Sequence, residues 1–322
     1  MILLVSGLSF FATFLLLLFL LKGGLAKFAL DHPNQRSLHT APIPRVGGLA
    51  LMAGAMIGLL AQGEKFGIVG AGAGMLVLVS LFDDIKGVPV QWRFLAHGLV
   101  TAGFLWAAIG VNDGIILLMI LLFAVIWMIN LYNFMDGSDG LAGGMALIGF
   151  GCYGVAAYLH GNGELFSVAM SIVASAFAFL LFNFHPAKVF MGDAGSIPLG
   201  FLAAALGILG WQDGIWSIWF PVMVFSPFIM DATVTLLKRL ARGEKVWQAH
   251  REHYYQRLVQ MGLGHRKTAL YEYGLMVCVG ASALWMLERR DSSQVMFLAA
   301  WLFVYVVLMS SIDRHWAAFK KN

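Results

Sequence analysis

The sequence predicts an all-α polytopic membrane protein, and three observations carry that prediction. Apolar residues make up 60% of the 322, with a mean hydropathy of +0.80. Charged residues make up only 12%, against roughly 25% in soluble domains. Apolar runs close to the roughly 20 residues that cross a hydrocarbon layer recur from Met1 to Met309, and no polar block between them is long enough to fold alone. A single membrane domain over 1–322 is expected.

The first run, Met1 to Leu21, has no basic segment before it and no small-residue cleavage site after it, so it reads as a retained span. Breaks at Gly, Pro and charged residues then divide the chain into about eleven helices. They start near Met1, Val46, Gly67, Phe94, Ile115, Leu141, Leu165, Ile197, Ile215, Thr268 and Val295. Gly/Ala-rich stretches such as Gly48 to Gly58 permit close helix packing in lipid. Alternating the loops places Lys22, Lys27, Arg36, Arg45, Lys86, Arg93, Lys188 and the basic residues of 238–267 and 314–321 on one side, with only Lys65, Arg289 and Arg290 opposite. The positive-inside bias therefore puts the N-terminus outside and the C-terminus in the cytoplasm. The net charge of +4 follows from this topology and calls for no nucleic acid. Cys152 and Cys278 lie in apolar runs without partners for a disulfide or zinc site.

The expected cytoplasmic loops, near 22–46, 83–93, 132–140, 184–196 and 238–267, carry nearly all the unusual polar residues. Asp83 and Asp84 are adjacent carboxylates at a helix end, which repel unless a cation or proton is shared. A solvated loop pair is the bland alternative. Asn130, Asn133, Asp136 and Asp139 leave a helix through a Gly-rich turn that offers acceptors and close backbone approach. Asn183, Phe190 and Asp193 lie in the segment that opens the eighth helix. There a carboxylate can hold a hard cation, free N–H groups can face a phosphate, and Phe190 offers a stacking face. His250, Arg251 and His253 sit in the longest polar stretch, where Arg and His suit a diphosphate. A topogenic loop explains its Lys and Arg, with no need of histidines. His39 and Arg45 precede a Gly-Gly helix start. Asp231, inside an apolar helix, reads as a structural partner that points into the bundle.

Taken in order, His39 with PIPRVGG, LFDD, NFMDGSDGLAGG, PAKVFMGDAGS and the His-containing loop resemble the polyprenyl-phosphate N-acetylhexosamine-1-phosphate transferases. That family includes the enzymes initiating common antigen, O-antigen and teichoic acid and, more distantly, phospho-MurNAc-pentapeptide translocase. The resemblance runs from about Asp31 to about Leu258. It implies transfer of a sugar-1-phosphate from a UDP-sugar to undecaprenyl phosphate, with release of UMP and a need for Mg2+, Mn2+ being the alternative ion. By resemblance Asp193 is a magnesium ligand, with Asp84 also assigned to the metal and Asp83 the base toward the lipid phosphate. Asn133, Asp136 and Asp139 would lie along the nucleotide-sugar site with Asn183 nearby, Phe190 would stack on uracil, and His250, Arg251 and His253 would face the diphosphate. Asn130 joins the substrate-binding set, as do His39 and Arg45, on a loop that could close over phosphates or be a rigid Pro-rich connector. The translocase has three consecutive histidines and many relatives a His-x-His pair. His250-Arg251-Glu252-His253 departs from both, and would share one helix face if that stretch is helical. The departure points to the O-antigen, lipopolysaccharide-type branch. Partners beyond the two substrates are membrane lipid and, as an allowed arrangement, a second copy of the chain.

Phosphoryl transfer needs mainly positioning and charge neutralisation, which a cation with Arg and His partners supplies. Direct attack by the lipid phosphate and a covalent aspartyl intermediate are both compatible with the residues. The rival from another class is a secondary transporter using membrane carboxylates. Transporter sites tend to lie at the bilayer midplane on broken helices in internal repeats. Here the aspartates sit at helix ends, and no repeat is evident.

Overall fold

A computed structural model describes residues 2–23, 29–31, 33, 38, 41–110, 114–246, 248, 250–289 and 293–321. Among them are thirteen α-helices: α1 Ile2–Lys22, α2 Gly47–Leu60, α3 Glu64–Lys86, α4 Val90–Ala108, α5 Ile115–Phe134, α6 Leu141–Leu159, α7 Gly163–Asn183, α8 Asp193–Gln212, α9 Trp219–Val224, α10 Ser226–Ala241, α11 Tyr254–Leu258, α12 Gly264–Trp285 and α13 Ser293–Phe319. A π-helical turn, Val259–Leu263, links α11 to α12. The antiparallel pair β1 (Leu30–Asp31) and β2 (Ile43–Pro44) sets Leu30 opposite Pro44.

Seven helices, α1, α3, α5, α6, α7, α8 and α13, are long and apolar enough to cross a membrane. The architecture is that of an all-α, multi-pass membrane protein. Its orientation rests on the Lys/Arg sorting alone. The span expected near Ile215 is divided into α9 and α10 at Phe225, which ends one helix and begins the other. Pro227 falls in the first turn of α10, where a missing N–H breaks no helical bond. Helix α11 is an extra short element inside the long polar stretch.

Helix α8 is the most deeply buried of the seven and packs against α2, α3 and α5. Its N-terminus meets that of α2 backbone to backbone. A Cβ on Gly48 would stand 2.4 Å from the Gly195 nitrogen, and one on Gly195 2.6 Å from the Gly48 Cα. Only glycine permits this approach, which brings the chain before α2 against the loop before α8. The Gly47 and Gly48 N–H groups donate to the Phe190 and Met191 carbonyls at 2.9 and 2.8 Å, and the Phe190 N–H donates to Pro44 O at 2.7 Å. Helix α13 is the opposite case: only Tyr305 and Met309 are buried, and its exposed Val295, Phe303 and Val307 suit contact with lipid.

At one end of the bundle gather the C-termini of α3, α5, α7 and α10 and the N-termini of α4, α6, α8 and α12. The opposite end is tied by Asp213, which accepts from Lys65 at 2.5 Å and Asn162 at 3.2 Å.

Candidate active site

The site grows from the first turn of α8. Gly192, at φ 70°, turns the chain into the helix, and Asp193 is its first residue. A carboxylate there is favoured by the unpaired N–H groups and the positive end of the dipole. Asn133, in the last turn of α5, donates from Nδ2 to Asp193 Oδ1 and to Ser196 Oγ, both at 2.9 Å. The other carboxylate oxygen faces Arg93 Nη1 at 3.6 Å.

Arg93 lies in the first turn of α4 and joins two of the expected aspartates. Its Nη1 donates to Asp83 Oδ2 at 2.6 Å, while the Val88 N–H donates to Asp83 Oδ1 at 2.7 Å. Asp83 is thus held on both oxygens, with its side chain 12% exposed. Asp84 is more open, at 30%, and faces Arg45 Nη1 at 4.0 Å. Arg45 in turn donates to Asp31 Oδ1 at 2.9 Å. Sequence reasoning had counted Arg93 only among the cations that set topology. Its signal was present: an arginine one short turn after Asp83, in VSLFDDIKGVPVQWR.

Asp136 belongs to the same cluster. The Gly192 N–H bonds to it, and withdrawal from solvent, then the neighbouring Asp193 charge, pushes its carboxyl well above the ordinary aspartate range. Asp139 and Asn183 serve a different purpose. Asp139 Oδ2 pairs with His185 Nδ1 at 2.7 Å and accepts from the Ala187 N–H at 3.1 Å. Asn183 accepts from the Gly140 N–H at 3.0 Å and donates to Val189 O at 2.9 Å. Both are buried and stitch the α5–α6 turn to the α7–α8 loop. His265 adds a third strand of this seam, with Nδ1 2.9 Å from Ser138 Oγ and Nε2 3.3 Å from Leu38 O. Phe190 is half-buried on the loop, with its backbone fixed to Pro44 and Gly47. Asn130 is not drawn in: its amide donates to Ile126 O of its own helix at 2.7 Å. His39 lies outside the described residues.

The last polar stretch is anchored by Asp231. Its oxygens accept from the Tyr254 and Tyr255 N–H groups at 2.8 and 2.9 Å, and Oδ1 lies 3.2 Å from His253 Nδ1. Asp231 therefore points into the bundle as a structural partner. The stretch 250–253 is not helical. His253 precedes α11, and its N–H donates to Gln256 Oε1 at 3.2 Å. His250 and His253 nevertheless face each other, with ring centroids 4.8 Å apart. Burial, then the His253 and Arg239 charges, lowers His250 to about 4, so it is neutral near pH 7. Arg251 is exposed. Tyr255 donates to Phe134 O at 3.1 Å, which fixes this loop to the end of α5 just after Asn133.

Asp31, Asp83, Asp84 and Asp193 stand against Arg45 and Arg93, so the cluster retains negative charge even with Asp136 protonated. Among the described residues no three His, Cys, Asp or Glu side chains converge as a preformed metal cage. Mg2+ is commonly held by one or two carboxylates with substrate phosphates completing its shell. The partly exposed Asp84 and Asp193 fit that kind of site.

The model of glycosyl transferase family 4 matches residues 66–211, a span that contains Asp83, Arg93, Asn133, Asp136 and Asp193. The chain is 29% identical over 302 residues to the probable undecaprenyl-phosphate N-acetylglucosaminyl 1-phosphate transferase of Bacillus subtilis, covering 88% of this chain and 83% of the relative. It is 27% identical over 306 residues to the undecaprenyl-phosphate alpha-N-acetylglucosaminyl 1-phosphate transferase of Yersinia pestis, covering 87% and 81%. The decaprenyl-phosphate N-acetylglucosaminephosphotransferase of Mycolicibacterium smegmatis is 27% identical over 336 residues, covering 89% and 82%. Motifs, multi-pass architecture and these relatives together support the polyprenyl-phosphate hexosamine-1-phosphate transferase family.

Proposed function

We propose that the protein transfers an N-acetylhexosamine-1-phosphate from a UDP-sugar to undecaprenyl phosphate at the cytoplasmic face of the bacterial inner membrane, as the first step of an O-antigen-type surface glycan. The supporting observation is the joining of Asp83 to Asp193 through Arg93, with Asn133 on Asp193, at helix ends where a lipid phosphate arrives. The named relatives all carry N-acetylglucosamine, so UDP-GlcNAc is the first donor to test.

Magnesium held by Asp193 and Asp84 would neutralise the donor diphosphate. Asn133 fixes the rotamer of Asp193, and Ser196 shares the same amide. Arg93 keeps two carboxylates close together that would otherwise repel. The resemblance gives Asp83 the role of base. Both Asp83 oxygens are already engaged, by the Val88 N–H and the Arg93 guanidinium, and a phosphate monoester loses its second proton near pH ~6 unaided. We therefore assign Asp83 to positioning Arg93, with the acceptor arriving largely as its dianion. The Asp139–Asn183 seam holds the loop that carries Phe190, and the Asp231-anchored stretch closes the site beside Phe134.

The test is release of UMP by purified protein with Mg2+, undecaprenyl phosphate and a panel of UDP-sugars. Turnover with at least one N-acetylhexosamine donor is expected. No turnover with any donor, alongside solute uptake in proteoliposomes, would replace the transferase with a transporter.

A further inference from the structure

The turn between α3 and α4 bounds a second feature. Gly87, at φ 67°, caps α3 through its N–H to Asp83 O, and Pro89 leads directly into α4. Along these two helices runs a groove of about 550 Å³. Leu78, Val79 and Phe82 line it from α3, Trp92 and Ala96 line it from α4, and Lys86 lies at its polar end. Its walls are almost entirely carbon. Helix α3 is one of the apolar membrane-crossing helices, so the groove opens toward hydrocarbon, where a water-soluble ligand has no access.

Its polar end adjoins the reaction site through a shared residue. Val88 lines the groove, and its N–H holds Asp83 Oδ1 at 2.7 Å. Arg93 begins one residue after Trp92 and grips the other Asp83 oxygen. Lys86 is exposed and follows Asp84 by two positions. It is the single cation among the groove's described lining residues. A lysine stem can lie along apolar surface while its ammonium reaches the headgroup layer. The combination is an apolar channel, one mobile cation, and carboxylates with a guanidinium beyond it. That complements a single apolar chain ending in a phosphate monoester.

We propose that this groove takes the first isoprene units of the polyprenyl phosphate acceptor, with Lys86 guiding its phosphate toward Arg93. The proposal rests on the transfer reading above. The floor residue Ala96 and the wall residue Val79 then set access for the tail, and Phe82 and Trp92 flank it.

Two measurements test it. In the full-length protein, Ala96→Trp should raise the KM for undecaprenyl phosphate several-fold and leave the KM for the sugar nucleotide unchanged. Lys86→Gln should raise the acceptor KM roughly tenfold, the loss of one charge-assisted contact. Separately, a photo-crosslinking residue at Val79, in phosphatidylethanolamine–phosphatidylglycerol vesicles, should capture radiolabelled undecaprenyl phosphate. Unlabelled undecaprenyl phosphate should displace it and added phosphatidylglycerol should not. Equal displacement by both lipids, or unchanged acceptor KM in both variants, overturns the groove as an acceptor site and leaves an ordinary lipid-facing surface. A parallel rise in the KM of both substrates with Ala96→Trp also overturns it, since that reports distortion of the whole site. If the unmodified protein turns over no donor, the transfer reading itself fails, whereas the crosslink still reports what the groove binds.

Discussion

Asn133 Nδ2 donates to Asp193 Oδ1 across 2.9 Å, so the last turn of α5 fixes the first side chain of α8. The same amide nitrogen reaches Ser196 Oγ at 2.9 Å. If Asp193 binds the metal, its orientation depends on this neutral amide. Asn133→Leu should lower kcat/KM on the order of 10²-fold, the scale of a small misplacement of a catalytic group. Steady-state UMP release checks this. Activity within twofold of the parent would mean that Asp193 needs no positioning from α5.

Arg93 is the second joint. Its Nη1 is 2.6 Å from Asp83 and 3.6 Å from Asp193. Lysine keeps the charge but loses the planar fork. Arg93→Lys should retain the fold and lose on the order of tenfold or more in kcat/KM, while Arg93→Ala should lose more because two carboxylates are left uncompensated. Thermal unfolding alongside kinetics separates the effects. Parent-level activity in Arg93→Lys would remove the guanidinium geometry from the mechanism.

If Asp83 positions Arg93, Asp83→Asn lowers the rate but keeps the acidic limb of the pH–rate profile, because that limb belongs to the acceptor phosphate. If Asp83 is the base, the substitution abolishes the limb. Profiles measured between pH 5 and 8.5 distinguish the two.

His250 is held near 4 by burial, then by His253 and Arg239. In the unfolded chain a histidine takes its proton near ~6.5, so between those values the unfolded state binds more protons. Stability is therefore full above pH ~6.5 and falls as the pH drops toward 4. The Tm in detergent should decline between pH 7 and 5, and His250→Gln should flatten that slope. Identical slopes would show that other groups govern the acid response.

Asp231 accepts from the Tyr254 and Tyr255 N–H groups and faces His253. Asp231→Ala leaves these buried donors unpaired, at a cost of about 2–5 kcal/mol. Hydrogen exchange should accelerate over 250–258 before it does in α8. Uniform acceleration would mean that the loop has no stability of its own.

Much of this was legible in the sequence, for physical reasons. Apolar runs and the sorting of Lys and Arg mark helices because lipid leaves the backbone few alternatives. Asp83, Asp136 and Asp193 stood out because carboxylates at helix ends are costly without a partner. Arg93 did not, since a basic residue beside a span is already explained by topology. The division of α9 from α10 at Phe225 was hidden because Pro221 and Pro227 fall inside one continuous apolar run. The spacing of His250 and His253 puts them on one helix face only if their stretch is helical, and it is not. They meet instead through the loop that Asp231 holds, a tertiary contact that no local spacing encodes. The Asp139–His185–His265 seam joins segments 46 to 126 residues apart and was invisible for the same reason.

The most direct test of the central claim follows the lipid product. Purified protein, Mg2+, undecaprenyl phosphate and UDP-GlcNAc are incubated, and the lipid fraction is read by mass spectrometry, with Asp193→Asn in parallel with Glu164→Gln, a change in the first turn of α7 at the opposite end of the bundle. Undecaprenyl diphosphate carrying an N-acetylhexosamine should form with the parent and with Glu164→Gln, and not with Asp193→Asn. Equal product from both variants would contradict the assignment of the reaction to the Asp83–Arg93–Asp193 end of the bundle.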